Sequence, residues 1–397
     1  MKMTRYMLLP LVLVAFAGCT KVERVDAPAT KVTFTVGSYA AQTKAEQGSG
    51  NSLIDAENVT QFQAMAYMHG AGVDGFKYYF GTTGETISYD EETKTWAPAL
   101  DYYWPSAPES YIDFICWYDK LAGSKPTVSY SATNGKYSAS MTWTDREIDA
   151  DDNILFADMA WRQKDNNTDQ SQTWYHNDDV TEGVPTLFRH ALAKLVFKAF
   201  ATQLEDTNPT TTYGVTITSL EISNVANMGT LVLTNSDPKD DASSVTIPST
   251  KAWSTDGWDV DASSLEDLTA TQTGSGSIKV MDLELEPEET DPDAGLIPGL
   301  SSVTVLPQEI GSDMVLTINY NISITYGTSG TPYSVENRSA TVPMYLAEGT
   351  AFSNDIDEWE MNKKYTYTIK INPATNVILF LPDTSDWTEV TGTLPIE

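Results

Sequence analysis

The chain has 397 residues, with 24 Lys and Arg against 55 Asp and Glu, and a formal net charge of −31. That length allows two domains of ordinary size, each with its own core. So negative a surface repels phosphate backbones and anionic headgroups, which excludes nucleic acid as a partner. The 10 Trp, 20 Tyr and 12 Phe argue for packed cores rather than acidic disorder. Two cysteines exclude a disulfide framework.

Residues 1–18 join Lys2 and Arg5 to a short apolar run, Met7 to Gly18. A basic start, a short apolar core and small residues before a cleavage point make a secretory signal, and the run is too short to span a membrane comfortably. The next motif, Phe16-Ala-Gly-Cys19, resembles a bacterial lipobox, with Phe16 where Leu is usual. Cleavage would fall between Gly18 and Cys19, and acylation of Cys19 would hold the precursor on outer-membrane lipid. Two or more acyl chains anchor firmly where one binds only marginally. A plain signal peptide with a chance cysteine is the alternative. Cys116, inside the apolar stretch Tyr111 to Tyr118, then reads as a buried, inert thiol.

Residues 20–30 are polar and read as a tether. Val32-Thr-Phe-Thr-Val36 alternates, which predicts a strand with Val32, Phe34 and Val36 on one face. Residues 41–52 are small and polar, the kind of exposed segment that proteases cut. Within it Thr43-Lys-Ala45 offers a trypsin-like site between Lys44 and Ala45. Arg24 is the weaker site, because a cut there leaves the first strand attached; an uncut loop is the plain alternative.

From Val59 to Tyr118 the pattern is short strands between turns, among them Phe62 to Tyr67 and Lys77 to Phe80. Trp96, Tyr103-Trp-Pro105 and Tyr111 to Phe114 alternate as core aromatics would. Asp149 to Asn153 and Asp165 to Asn167 read as solvated turns. The central run Thr186 to Phe200 fits both a helical and a strand period and is read as a strand, as is Val215 to Asn224. The turn residues Asp206 to Pro209 between them suit antiparallel neighbours. Further strands are expected at Leu300 to Pro307, Met314 to Tyr326 and Asn362 to Ile371, with an acidic loop at Leu283 to Asp293. At the end of the chain Val390, Gly392, Leu394 and Ile396 share one face at period two. Pro395, lacking an N–H, favours an edge or an end. The two ends of the chain behind the signal peptide thus share a property: each is expected to be extended, alternating and separable from the body.

Several segments in order resemble the fimbrillin family, the lipoprotein-derived pilus subunits of Bacteroidales. They are Trp96 with Tyr103-Trp-Pro105 and the aromatic strand after it, His190-Ala-Leu-Ala-Lys194, Thr218 to Asn224 with Gly229-Thr230, Val305-Leu-Pro-Gln308, and Trp359 followed by Asn362 to Ile371. The resemblance implies an all-β fold of two transthyretin-like β-sandwich domains, residues 45–185 and 186–397, behind a signal peptide at 1–18 and a lipidated propeptide at 19–44. It implies maturation between Lys44 and Ala45 by a trypsin-like protease, Lys44 standing where the family has Arg. Val32, Phe34 and Val36 would belong to the strand displaced by that cut, and Val390, Gly392, Leu394 and Ile396 to the donor strand that replaces it in a neighbour. The partners would be other copies or related pilus subunits, and the location the cell surface. For the tail, the alternative is the last strand of its own domain. The cut would remove a net +4, leaving −35.

Nothing in the chain points to catalysis. The three histidines, His69, His176 and His190, lack metal-ligand spacing, and no nucleophile, phosphate or dinucleotide motif occurs. His190 reads as a packed residue, and the Asp-rich loops lack EF-hand order. No cofactor or metal is expected. Two further readings stand beside the stalk subunit: a tip or anchor subunit of the same pilus, and a surface lipoprotein that binds glycans through exposed aromatics.

Overall fold

The computed structural model describes residues 31–38, 59–70, 73–104, 110–121, 123–133, 136–163, 183–203, 211–236, 250–251, 253–271, 280–282, 302–327, 333–345, 356–372 and 377–386. Period-two alternation of apolar and polar residues runs through these segments, and it builds strands. Among the described residues every regular element is a strand, so the protein is all-β.

The first group of strands closes on itself. In order around the ring are Gln61–Gly70, Glu85–Asp90, Thr95–Pro98, Phe34–Ser38, Val184–His190, Ile154–Ala157 and Ser110–Asp119, and the last pairs back onto the first. Every one of the staves sends apolar side chains inward, among them Phe62, Ile87, Trp96, Phe34, Phe188, Leu155 and Phe114. Closure gives every stave a neighbour on each side, an arrangement that protects a sheet from pairing with strangers.

The outward faces of Gln61–Gly70 and Ser110–Asp119 carry large apolar side chains as well, beside the buried pair His69 and Asp113, whose Nε2 and Oδ2 lie 3.0 Å apart. Met65, Tyr67, Ile115 and Trp117 pack on a second sheet ordered Trp258–Val260, Met228–Ser236, Lys136–Glu147 and Thr127–Thr133. Met228–Ser236 thus pairs with Lys136–Glu147, and Thr250–Lys251 with Met159–Gln163, both far earlier in the chain. The expected boundary between 185 and 186 falls inside the strand Val184–His190, which belongs to the ring.

A third core lies between two more sheets. One holds Val280–Asp282, Ala193–Gln203, Lys363–Asn372 and Val377–Asp386; the other holds Leu265–Thr271, Thr211–Ala226, Val315–Tyr326 and Ser334–Pro343. Two expectations need correction here. The run Thr186 to Phe200 is two strands, parted at Ala191 and Leu192, both fully buried. The bend is satisfied from outside: Ala191 N–H donates to Ile154 O at 2.9 Å, Trp258 Nε1 donates to Ala191 O at 2.6 Å, and Asn362 N–H donates to Leu192 O at 3.1 Å. Nor are Ala193–Gln203 and Thr211–Ala226 neighbours in a sheet. The former pairs in parallel with Lys363–Asn372 on one side, and on the other with Val280–Asp282 in parallel and Val303–Val305 antiparallel. With both edges taken, it meets Thr211–Ala226 face to face across the core.

The turn Asp149 to Asn153 is also more than solvated. Asp152 is buried and lies 3.1 Å from Arg146 Nη2, which also meets Asp119 Oδ1 at 3.0 Å. Two carboxylates around one buried guanidinium pin this turn to the ring.

Candidate functional site

The strand Phe34–Ser38 is short, and its place in the ring gives it consequence. Val32, Phe34 and Val36 point inward and are 2%, 4% and 4% exposed. Full burial of such side chains stabilises by roughly 1.5–3 kcal/mol each. The expected face is the buried one.

Two neighbours hold the strand. Val184–His190 runs parallel to it, from Phe34 opposite Val184 to Ser38 opposite Phe188. On the other side Phe34 lies opposite Trp96, and Lys31 bridges to Tyr103. Val32 N–H donates to Tyr102 O at 2.8 Å, and Val184 N–H donates to Thr33 O at 2.7 Å. Lys31 Nζ meets Asp101 Oδ1 at 2.8 Å with both side chains more than half exposed; an ion pair so open to solvent adds little.

At the centre Phe34 sits among three other phenyl rings. Its centroid is 5.7 Å from those of Phe62 and Phe114, both edge-on, and 6.3 Å from that of Phe80. Edge-to-face contacts of this kind add to simple burial. Gly183, just before the parallel neighbour, meets the backbone instead. A Cβ there would come within 2.6 Å of Phe34 N and of Thr33 C and O. Only glycine lets the two chains lie this close.

The ring aromatics Trp96 and Phe114 were legible as core from their alternation. Phe62 was placed on a strand, but nothing marked it as part of one pocket with Phe80 around Phe34. Gly183 carried no signal at all, since its role depends on a segment almost 150 positions earlier in the chain.

The remaining expected site residues fall outside the described residues: Gly18, Cys19, Lys44, Ala45, Val390, Gly392, Leu394 and Ile396. Cys116 is buried in the ring core, and burial pushes its thiol up. His190 is buried too, with Nδ1 at 3.2 Å from Asn153 Oδ1; burial, and then the charge of Lys194, pushes its imidazole well below the ordinary range. Among the described residues no group of three or more His, Cys, Asp and Glu could hold a metal ion.

The site is thus a seat for one extended strand, inside an otherwise complete all-β ring and occupied by the chain's own leading segment. The chain belongs to the fimbrillin-like family, whose model matches residues 43–387. No curated protein matches the sequence. Among solved structures the chain is similar to a Bacteroides uniformis protein named for cell adhesion, with 16% identity, a TM-score of 0.43, and coverage of 90% of this chain and 98% of that one. It is also similar to a fimbrial protein of Bacteroides vulgatus, with 15% identity, a TM-score of 0.45, and coverage of 90% and 100%.

Proposed function

We propose that the protein is a structural subunit of a cell-surface pilus, made as a lipoprotein acylated on Cys19, cut between Lys44 and Ala45, and polymerised by strand exchange. Family membership supports the coarser part of this reading: a non-enzymatic adhesion subunit of pilus type that assembles with other subunits at the cell surface. The finer part rests on one observation. The leading strand is a stave of a closed ring, with Val32, Phe34 and Val36 buried and a neighbour on each side.

While the chain is intact, residues 39–58 tie this stave to the next strand of the ring. A cut after Lys44 by a trypsin-like protease leaves the stave held by noncovalent contacts alone. Its departure opens two strand edges and a row of apolar pockets, which is a costly surface in water. An extended segment of another subunit with the same alternation supplies the hydrogen bonds and the side chains together. The tail bearing Val390, Gly392, Leu394 and Ile396 is the donor in this reading, and other copies or related subunits are the partners.

Limited trypsin digestion of the purified precursor, read by intact mass and size-exclusion chromatography, tests it. The expected product begins at Ala45, and larger assemblies form only after the cut. A resistant monomer that keeps Val32 to Val36, or a clean cut that yields no assembly under any condition tried, counts against the polymerising subunit.

A further inference from the structure

The seat is not uniform along its length, and the differences say what it accepts. Along its edges the strand is held by the ladder with Val184–His190 and by bonds between backbone atoms, Val32 N–H to Tyr102 O and Val184 N–H to Thr33 O. The atoms nearest to a Cβ at Gly183 are backbone atoms too, those of Thr33 and Phe34. These contacts hold any extended chain that keeps its backbone N–H groups, whatever its side chains. The side-chain places do not. The middle one is walled by Phe62, Phe80 and Phe114 and filled by a phenyl ring, while the places two residues to either side hold valines.

We infer that the seat is a size-selective receptor for an extended segment with an aromatic residue at its centre and β-branched residues two positions away on each side. This rests on the strand exchange proposed above and names the chemistry of the partner that fits best. The chain's own tail is a poorer match. Of the tail's registers, the one centred on Leu394 puts the largest side chain in the middle place, and Gly392 and Ile396 then flank it in either strand direction. That leaves the phenyl pocket underfilled and one valine place empty. Interiors are packed tightly enough that such voids weaken binding. The intact precursor therefore holds its own leading strand in preference to a neighbour's tail, and a subunit whose donor carries Phe or Tyr at the Leu394 position outcompetes a second copy of this chain.

The test uses the full chain cut with trypsin after Lys44 and a fluorescent synthetic peptide of residues 31–44, with binding read by anisotropy. Unlabelled competitors are that peptide, its Phe34→Ala form, the tail peptide of residues 387–397 and its Leu394→Phe form. Phe34→Ala is expected to weaken binding by about 100-fold or more, and Leu394→Phe to strengthen the tail by about tenfold. Gly183→Ala in the protein is expected to weaken every peptide by one common factor. A Phe34→Ala peptide that competes within about threefold of the parent, or a Leu394→Phe tail no better than its parent, overturns the size selection while leaving strand exchange standing. Failure of the labelled peptide to enter the cut protein at all overturns strand exchange itself.

Discussion

The leading and trailing strands of the described chain are both extended and both lie at a terminus, yet they are held differently. Phe34–Ser38 has a neighbour on each side and closes a ring. Val377–Asp386 pairs all ten of its residues with Lys363–Asn372 and, among the described strands, is the last of its sheet. Taking away the first opens a closed structure and uncovers a core; taking away the second moves an edge inward by one strand. A segment's alternation says that it is a strand. Whether that strand is a stave or an edge depends on what lies on its second side.

Deletion is the harshest way to probe this difference. Removing residues 31–38 is expected to abolish hydrogen-exchange protection in peptides containing Phe62 and Phe114. Removing residues 377–386 should leave those same peptides protected. Protection that survives removal of residues 31–38 means that the ring does not depend on its leading stave, and equal loss in both variants means that the two strands do not differ in this way. A single side chain comes next. Phe34→Ala is expected to destabilise the uncut protein by about 3–5 kcal/mol in urea unfolding, and Thr35→Ala, its outward-facing neighbour, by less than about 1 kcal/mol.

The bend between the ring and the third core offers a smaller effect, with a sign that can be checked. His190 N–H donates to Asn362 Oδ1 at 3.1 Å, and the imidazole is buried with its affinity for protons lowered. The unfolded chain binds a proton near the ordinary value of 6.5 while the folded chain resists it. This contribution is therefore fully present above pH 6.5 and is lost as the pH falls, by at most about 1.4 kcal/mol per pH unit. His190→Gln should remove that part of the slope between pH 7.5 and 5, seen by unfolding at both ends. The smallest effect belongs to the outer hairpin, where Tyr333 is 79% exposed beside Tyr326. Tyr333→Ser is expected to change stability by no more than about 0.5 kcal/mol, and a larger loss would mean that this tip is covered by something.

Much of the fold was legible because strands announce themselves by alternation. Val32 to Val36, Phe62 to Tyr67, Val215 to Asn224, Met314 to Tyr326 and Asn362 to Ile371 all lie on strands, with ends shifted by a few residues. Pairing was less legible. The turn residues Asp206 to Pro209 suit a hairpin, but both edges of Ala193–Gln203 are filled by strands from the last third of the chain. Local turn chemistry carries no trace of them. The break at Ala191 and Leu192 was invisible for a related reason. Both residues are apolar, and the groups that satisfy the bend come from Ile154, Trp258 and Asn362. Asp152 looked like any loop acid until Arg146 was found beside it. For the seat, the inward face of the leading strand was written in its own period, whereas the phenyl pocket and Gly183 were properties of distant segments brought together.

The split run at the centre also has a mechanical meaning. Val184–His190 is a stave of the ring, and after the bend Ala193–Gln203 is a central strand of the other sandwich. Drawing the two parts away from each other thus pulls on a continuous covalent backbone. At its far side the pull passes into eight parallel pairings, Lys194 to Ala201 against Lys364 to Ile371. Force along such strands loads their hydrogen bonds together in shear, so none can yield alone, whereas force across them would open the pairs one after another like a zip.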